Sequence, residues 1–353
     1  MDLNDLGHFK QLDKEKMIDH INNLPQQLTS AWQLAHKCPL PDWQGIETVL
    51  VAGMGGSAIG GDLVAAYAAP SCDAAIIVHR DYQLPAWAHT EKVLVVCSSH
   101  SGNTEETLDV FMHALKSDCR ILVITTGGEM AALAEKKKIP LWRFDYPSQP
   151  RAAIGYSFAL LLALLARLKL IPDPESELRQ AISAMQNQSA SIKPEVVVAN
   201  NPAKRLAGQL VERCVTIFGA GIMGPVARRW KCQINENAKS QATFELLPEA
   251  DHNTLQGIKE PDEQFGAAMN VFLRAPVNHP RNQLRDEFTR KFFMIQGQNT
   301  DFYLAQGQSR LAQMLTALHF GDYVSYYLAM ANGVDPTPVP MLSHLKEKMK
   351  AAG

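Results

Sequence analysis

Residues 47–61 read ETVLVAGMGGSAIGG, which is a short apolar run, a turn rich in glycine, and small residues that continue as a helix. The same order of strand, polar turn and helix returns at residues 92–116 and again at residues 214–239. Continuous apolar strands that alternate with helices are typical of parallel sheets covered on both faces. The sequence therefore predicts an α/β fold made of two βαβ-type halves.

The predicted strands and helices follow the hydrophobic periodicity. Strands are predicted at the segments ETVLVAG, AAIIVH, KVLVVCS, RILVIT, CVTIFGAG, QATFEL, AAMNVFLRA and KFFMIQ. Helices are predicted at residues 10–37, 58–69, 103–116 and 306–332, and in the final stretch TPVPMLSHLKEKMKAAG. The most apolar segment, residues 152–166, is too short to span a bilayer comfortably and is predicted to be a buried helix.

The composition excludes some classes of partner and compartment. At 353 residues the chain is about twice a common domain length, so two domains are expected. Lys plus Arg is 34 against 36 for Asp plus Glu, with no long run of either sign, so neither a nucleic acid nor a membrane is expected as a partner. The six cysteines form no C-x-x-C pair, and the charged N-terminus lacks a secretory pattern, so we expect a cytoplasmic protein.

The first glycine-rich turn, Gly53–Gly61, follows a strand and opens a helix. Glycines at such a turn let backbone N–H groups approach an anion at the helix N-terminus, where the helix dipole also favours negative charge. Ser57 adds a hydroxyl donor where a phosphate oxygen would lie. The turn is therefore predicted to bind phosphate, with a purely structural tight turn as the alternative.

A second polar turn, Ser98–Glu106, also lies between a strand and a helix. It carries four hydroxyls within residues 98–104, and Gly102 allows the backbone to bend around them. A capping box with Thr104 and Glu106 is the alternative, but an N-cap needs only one hydroxyl. Because neutral donors in this number suit a phosphomonoester, phosphate binding is predicted here too.

The third turn, Gly219–Gly224, matches G-x-G-x-x-G and is followed by Glu245 at the end of a candidate strand. Taken alone, this pattern is a dinucleotide-binding fingerprint and would favour an NAD-dependent oxidoreductase. With two hydroxyl-bearing turns upstream, we interpret it as the turn of the second βαβ unit. Both interpretations stay open at the level of the sequence.

Polar residues crowd the far end of the helix that follows this turn. One carboxylate lies there among amides and a cation: Asn235, Glu236, Asn237 and Lys239. The cluster is either part of a site or a solvated charged face. Further on, His252 stands in a polar loop, and an imidazole suits proton transfer near neutral pH. The histidines show neither H-E-x-x-H nor H-x-x-x-H spacing, so no metal cage is expected.

Six motifs occur in one order along the chain: GMGGSAIGGD, SSHSGNTEET, QPRAAIGY, KCQINENAKSQA, DHN and HLKEKM. Together they make the chain similar to the bifunctional phosphoglucose/phosphomannose isomerase family. The resemblance implies two SIS domains, each a flavodoxin-like, mainly parallel sheet with helices on both faces. It also implies an N-terminal helical segment, a first SIS domain with phosphate-binding loops, a second SIS domain and a C-terminal helix with a catalytic lysine: residues 1–45, 46–195, 196–335 and 336–353.

The resemblance assigns roles motif by motif. Five residues of the first two turns match those that hold the substrate phosphate: Gly56, Ser57, Ser99, Ser101 and Thr104. Arg151 matches the arginine that stabilises the cis-enediol(ate) intermediate, and Glu236 matches the base that moves a proton between C1 and C2. His252 and Lys346 match the residues that open the sugar ring by proton transfer.

The implied reaction is the reversible isomerisation of glucose 6-phosphate, and of mannose 6-phosphate, to fructose 6-phosphate, with no metal and no nicotinamide cofactor. The resemblance also implies a homodimer with its active site at the subunit interface and the histidine supplied by the neighbouring subunit. Two positions depart from the family's pattern: His100 stands where many members carry tyrosine, and Thr254 where an acid is common. These departures bear on the sugar preference and the pH optimum.

Three other functions compete with this one. A non-catalytic phosphosugar sensor of the SIS type usually carries a helix-turn-helix domain, and the opening segment shows neither its length nor a basic recognition helix. An NAD-dependent oxidoreductase would rest on the third glycine turn alone. An amino-sugar isomerase that uses glutamine needs a source of ammonia, and neither a glutaminase segment nor an N-terminal cysteine nucleophile is seen.

Overall fold

The computed structural model describes residues 2–258, 260 and 266–352. Its first five strands are β1 Thr48–Ala52, β2 Ala75–His79, β3 Val93–Ser99, β4 Arg120–Thr125 and β5 Leu141–Arg143. They form one parallel sheet in the spatial order β2-β1-β3-β4-β5. This is the strand order of the flavodoxin-like doubly wound fold.

A second parallel sheet follows in the chain. Its strands are β6 Cys214–Ala220, β7 Ala242–Leu247, β8 Ala268–Arg274 and β9 Asn299–Leu304. They lie in the order β7-β6-β8-β9, which repeats the order of the first sheet without its last strand. Two parallel sheets of the same order confirm the predicted α/β fold with two flavodoxin-like halves.

Helices cover both sheets. The α-helices of the described residues are α1 Leu6–Leu12, α2 Met17–Asn22, α3 Leu24–Lys37, α4 Gly55–Ala68, α5 Glu105–Ala114, α6 Gly128–Lys137, α7 Ile154–Arg167, α8 Glu175–Ile192, α9 Pro202–Leu210, α10 Met223–Ala238, α11 Pro280–Ile295, α12 Arg310–Ala331 and α13 Pro340–Ala352. Short 3-10 turns lie at Ala86–Ala88, Pro150–Ala153, Val198–Asn200, Glu249–His252 and Thr254–Gly257. The predicted opening helical region is thus three helices, and the predicted long helix is α12.

Side chains alternate across β3 and so bury both faces of the first sheet. Leu94 and Val96 lie in one apolar core with helices α3, α4 and α7, whereas Val95 and Cys97 lie in another with α5 and α6. The first core continues to the second sheet, where Ile217 shares it with α10 and α12. Runs of consecutive apolar residues form strands here because both faces of each sheet are covered.

Helix α7 is the apolar segment predicted to be a buried helix, and that prediction is confirmed. The window Pro150–Arg167 is long and apolar enough to cross a membrane, but 78% of it is buried inside the fold. It packs against α3 and α4, and a Cβ atom on Gly60 of α4 would lie 2.8 Å from the carbonyl oxygen of Ser157. The segment is therefore a core helix, and the short 3-10 turn that leads into it, Pro150–Ala153, contains Arg151.

The predicted strand KFFMIQ is wrong, because these residues lie at the end of helix α11. His279 caps this helix through Nδ1, which accepts a backbone N–H at 3.1 Å, and Pro280 has the fixed φ that suits the first turn. Of the apolar run, Phe293 packs in the core beneath the second sheet, whereas its neighbours remain exposed. The consecutive apolar residues are spread around a helix and only imitate a buried strand.

Strand β9 is absent from the predictions because its sequence, NTDFYL, mixes polar and apolar residues. It forms the edge of the second sheet, where Tyr303 is buried but Phe302 and Leu304 stay 43% and 53% exposed. An edge strand with one buried side chain lacks the continuous apolar run of the central strands. The three-residue edge strand β5 escapes prediction for the same reason.

Candidate active site

The first two polar turns meet at the carboxyl ends of β1 and β3. These strands are neighbours, with Ala52 opposite Cys97, yet β1 leads to β2 on one side and β3 leads to β4 on the other. Such a topological switch point opens a crevice outside the strand ends, where open α/β sheets bind ligands. The fold therefore brings together the two turns for which the sequence predicts phosphate binding.

In the first turn the backbone is packed too closely for side chains. A Cβ atom on Gly56 would lie 2.8 Å from the carbonyl oxygen of Pro150, and Gly55 has a left-handed backbone with φ +49°. Helix α4 starts here without a side-chain cap, and the buried Ser57 lies in its first turn. Among the described residues, no side chain bonds the first N–H groups of α4, which lie next to the backbone of Arg151.

In the second turn two of the hydroxyl groups are hydrogen-bonded to each other. Ser99 Oγ and Thr104 Oγ1 share a hydrogen bond of 2.8 Å, and Ser99 Oγ also accepts the Gly102 N–H at 3.1 Å. The exposed Ser101 accepts the Asn103 N–H at 3.2 Å through its Oγ. Thr104 precedes α5 without capping it through its side chain, so the structure does not adopt the capping-box alternative. The hydroxyl pair is thus left at the start of α5.

Arg151 lies in the short 3-10 turn that leads into α7, and its side chain is 4% exposed. Its Nε donates to Asn237 Oδ1 at 2.7 Å, and its Nη2 donates to the carbonyl oxygens of Pro336 and Thr337 at 2.7 and 2.6 Å. Because a guanidinium has five N–H donors, the two on Nη1 remain for a ligand. Nη1 lies 3.6 Å from Glu236 Oε2. Burial lowers the pKa of Arg151, and the Glu236 carboxylate opposes that shift.

Glu236 lies in the last turn of α10, and its side chain is 28% exposed. The next residue, Asn237, is fully buried; besides accepting from Arg151, it donates through Nδ2 to Ser325 Oγ of α12 at 3.0 Å. Lys239 Nζ donates to the Glu236 carbonyl oxygen at 2.6 Å. The polar cluster is therefore not a solvated charged face, because it joins α10 to the first half of the chain.

The two residues predicted to open the sugar ring are not brought to this pair within one chain. His252 is exposed at the end of a 3-10 turn that Asp251 ties to α11 through hydrogen bonds. Lys346 is exposed on α13, a helix with no buried residue in its described length. Over the part of the chain that the structure describes, neither side chain has a hydrogen bond or an ion pair to Arg151 or Glu236.

The third turn is closed by a side chain. Asn278 Oδ1 accepts the Ile222 N–H at 3.2 Å, and its Nδ2 donates to the Ala220 carbonyl oxygen at 2.8 Å. Gly221 is left-handed, with φ +52°, and a Cβ atom on it would lie 2.5 Å from Asn278 Oδ1. Asn278 therefore stands at the start of α10, where a dinucleotide would need its pyrophosphate. This geometry favours a structural βα turn over a dinucleotide site.

His100 and Thr254, the two departures from the family's pattern, each form a side-chain hydrogen bond within the chain. The ring of His100 packs on Phe144, and its Nε2 donates to the Tyr146 carbonyl oxygen at 3.1 Å. Burial lowers the pKa of His100, which favours the neutral imidazole. Thr254 Oγ1 donates to Asn253 Oδ1 at 3.0 Å in the loop after His252. Each side chain thus has a partner outside the Glu236–Arg151 pair.

Comparisons with known proteins match most of the chain. The family of bacterial phospho-glucose isomerase C-terminal SIS domains matches residues 199–349. A bifunctional phosphoglucose/phosphomannose isomerase from Caldicellulosiruptor bescii is 38% identical over 337 residues, which are 94% of this chain and 98% of that protein. Another protein of that name, from Aquifex aeolicus, is 31% identical over 86% of this chain and 90% of its own length.

A solved structure shares the fold. The C-terminal domain of glucosamine-fructose-6-phosphate aminotransferase from Francisella tularensis matches with a TM-score of 0.72 over 92% of this chain and 98% of that one, at 13% identity. At that identity the likeness concerns the fold alone. The near full-length identity of 38% and the SIS-domain match concern the family. The chain belongs to the bifunctional phosphoglucose/phosphomannose isomerase family.

Proposed function

We propose that this chain catalyses the reversible isomerisation of glucose 6-phosphate, and of mannose 6-phosphate, to fructose 6-phosphate through a cis-enediol intermediate. The observation that carries the proposal is the pair of Glu236 Oε2 and Arg151 Nη1, 3.6 Å apart. A carboxylate beside a cationic donor can remove a proton and stabilise the oxyanion that results. The relatives from C. bescii and A. aeolicus carry both activities in their names.

The substrate phosphate binds at the switch point of the first sheet. The positive dipole ends of α4 and α5 point there, and neutral N–H and O–H groups complete the binding set. Five residues supply these groups: Gly56, Ser57, Ser99, Ser101 and Thr104. Because the turn at Gly56 touches the backbone of Arg151, a phosphate held there leaves the sugar carbons within reach of the Glu236–Arg151 pair.

Glu236 is the base that moves the proton. Its carboxylate takes the proton from C2 of the open-chain aldose, a C1–C2 double bond forms, and the carbonyl electron pair moves to O1. The same carboxyl group then delivers the proton to C1, while the O2 proton passes to O1 and C2 becomes the ketone carbon. The two free Nη1 hydrogens of Arg151 donate to the enediolate oxygens, so charge is stabilised where it develops.

The same step accounts for two sugars. Glucose 6-phosphate and mannose 6-phosphate differ only at C2, and removal of the C2 proton makes that carbon planar. Both sugars therefore give the same enediol and the same ketose. Tolerance of both epimers requires only that the C2 substituents can rotate within the pocket.

Ring opening is assigned to His252 and Lys346, at a site completed by a second copy of the chain. The supporting observation is that both side chains are exposed and that, in the described part of one chain, neither bonds Arg151 or Glu236. In a homodimer with the site at the subunit interface, His252 would come from the neighbouring subunit.

The proposed division of the chain is an N-terminal segment, two SIS domains and a C-terminal helix: residues 1–45, 46–195, 196–335 and 336–353. We place the enzyme in the cytoplasm, where it would serve glycolysis and gluconeogenesis. All six cysteines are free thiols, which suits a reducing compartment.

The proposal is tested by giving fructose 6-phosphate to the purified protein after chelator treatment and measuring both aldose products. The wild type should form glucose 6-phosphate and mannose 6-phosphate. Glu236→Gln should lower kcat by at least about 100-fold, the usual scale for a general base. Glu287→Gln is the matched control, because Glu287 is a helical glutamate paired at the surface with Lys291. A folded wild type without activity would leave a phosphosugar sensor as the function.

A further inference from the structure

Lys239 is the residue at which α10 ends. Its backbone is left-handed, with φ +55°, and the side chain turns back over the helix end. Nζ lies 2.6 Å from the Glu236 carbonyl oxygen, 3.3 Å from that of Asn237 and 3.2 Å from that of Pro336. An ammonium has three donors, so all three are directed at carbonyl oxygens. The residue is exposed to solvent, yet its charged atom is fully engaged.

The Pro336 carbonyl oxygen is shared. Arg151 Nη2 donates to it at 2.7 Å, and Lys239 Nζ donates to it at 3.2 Å. One oxygen thus links the buried guanidinium to the end of α10. Asn332 makes a second link, because its Nδ2 donates to the Ala238 carbonyl oxygen at 3.1 Å. The segment before α13 is therefore fastened to the helix end that carries the proposed base.

The position of Glu236 depends on this helix end. Carbonyl groups in the last turn of a helix have no partner inside the helix, and the dipole there is negative. Lys239 satisfies two of these groups and offsets their charge. Without that contact the last turn could fray, and the Glu236 carboxylate would no longer be held 3.6 Å from Arg151 Nη1.

We propose that Lys239 is a positioning residue for the isomerisation: its ammonium holds the end of α10 and the segment at Pro336 together, and so fixes the Glu236 carboxylate opposite Arg151. This inference rests on the proposed function. We assign Lys239 no direct role in the chemistry, since its three donors are occupied by backbone carbonyl oxygens. Its effect is on the geometry of the proton transfer and not on the phosphate loops.

The protonation state of Lys239 adds a pH dependence to this role. Burial of the ammonium, and after it the charge of Arg151, lowers the pKa of Lys239 to about 8, although Asp335 and Glu236 act in the opposite direction. Below that pH the ammonium serves all three carbonyl oxygens. As the pH rises through 8, the neutral amine keeps only two hydrogens, and one of its three contacts with carbonyl oxygens is lost. The helix end should therefore loosen on the alkaline side.

The test compares Lys239→Met and Lys239→Arg with the wild type by kcat and KM from pH 6.5 to 10, and by the affinity for sorbitol 6-phosphate, an acyclic phosphorylated polyol. The methionine variant should lose about 10- to 100-fold in kcat, the effect of a small misplacement of a catalytic group. Its KM and its affinity for sorbitol 6-phosphate should match those of the wild type. The arginine variant should keep most of the kcat and hold it above pH 8, because a guanidinium stays charged there.

Lys231→Met is the matched control, since Lys231 lies on the same helix away from its end. An unchanged kcat in Lys239→Met, or an equal loss of affinity for the polyol, would overturn the positioning role. The role would also be overturned if the kcat of Lys239→Arg fell at high pH in the same way as that of the wild type. This comparison decides the question if the methionine variant does not fold. An inactive wild type in the same assay would instead sink the proposed function, and this role with it.

Discussion

The two halves of the chain serve the candidate site with opposite ends of their helices. The first half presents the N-termini of α4 and α5, where N–H groups and positive dipole ends suit a phosphate. The second half presents the C-terminus of α10, where Glu236 stands beside the cations Arg151 and Lys239. In the proposed mechanism, two halves with one strand order supply an anion-binding end and a base-carrying end.

The glycine turns of the two halves show how this division of labour arises. Beyond its own stretch of helix, a Cβ atom on Gly55 would meet no described residue within 4 Å, and the close contact of the next residue, Gly56, is with the backbone of Pro150 and Arg151. At Gly221 the equivalent turn is filled by Asn278, whose carboxamide bonds the start of α10. The two turns have similar glycine patterns, and they differ in the side chain that reaches the third turn from a neighbouring loop.

The largest effect should come from Arg151→Lys at the base-carrying end. A lysine has its donors on one nitrogen and cannot serve Asn237, Pro336 and an oxyanion at once. Loss of one preorganised donor to an oxyanion lowers kcat by about 100- to 1,000-fold. Steady-state kinetics should show this loss with little change in KM. Arg143→Lys is the control, because Arg143 is exposed. If Arg151→Lys raised KM and left kcat unchanged, Arg151 would instead be assigned to phosphate binding.

A smaller effect is expected from Ser57→Ala at the phosphate-binding end. A hydrogen bond to a charged group contributes about 1.5–3 kcal/mol, which corresponds to about a 10- to 150-fold rise in KM. The kcat for bound substrate should stay close to that of the wild type. Ser117→Ala is the control, because its hydroxyl bonds the Ala114 carbonyl at the far end of α5. A fall in kcat at constant KM would contradict the division between the two ends.

The smallest effect on catalysis is expected from Asn278→Ala in the closed turn. The variant leaves the Ile222 N–H without its partner, so urea denaturation should show a loss of about 1–3 kcal/mol in the free energy of unfolding. The kcat/KM should not change. Asn282→Ala, in the same cavity, should keep full stability. Full stability of Asn278→Ala together with NAD(H) binding by the wild type would mean that the third turn, Gly219–Gly224, is a ligand site.

Strands buried on both faces could be predicted, because each is a continuous apolar run between turns. KFFMIQ shows the limit of that rule, since the same kind of run lies around helix α11 with Phe293 in the core. The cap at His279 and Pro280 stands a dozen or so residues upstream and outweighs the local pattern. Edge strand β9 shows the converse, because its half-exposed sequence NTDFYL contains no continuous apolar run.

For the site, Glu236 and Arg151 are predicted from the sequence, and the fold places Glu236 Oε2 3.6 Å from Arg151 Nη1. Asn237 and Lys239 could not be assigned from the sequence, because their partners lie far along the chain: Arg151 is 86 residues from Asn237, and Pro336 is 97 residues from Lys239. The phosphate-binding roles and the ring-opening roles of His252 and Lys346 stay predictions.

Helix α13 stands apart from the fold that carries the rest of the site. Every described residue of Pro340–Ala352 is exposed, whereas Thr337, just before it, is buried and bonded to Arg151. A protease that cut at residue 338 or 339 would remove Lys346 and open none of the core. The clipped protein would melt like the intact one and migrate almost with it on a gel, yet lack a proposed catalytic group. The intact mass of a purified sample therefore belongs beside every measurement of its activity.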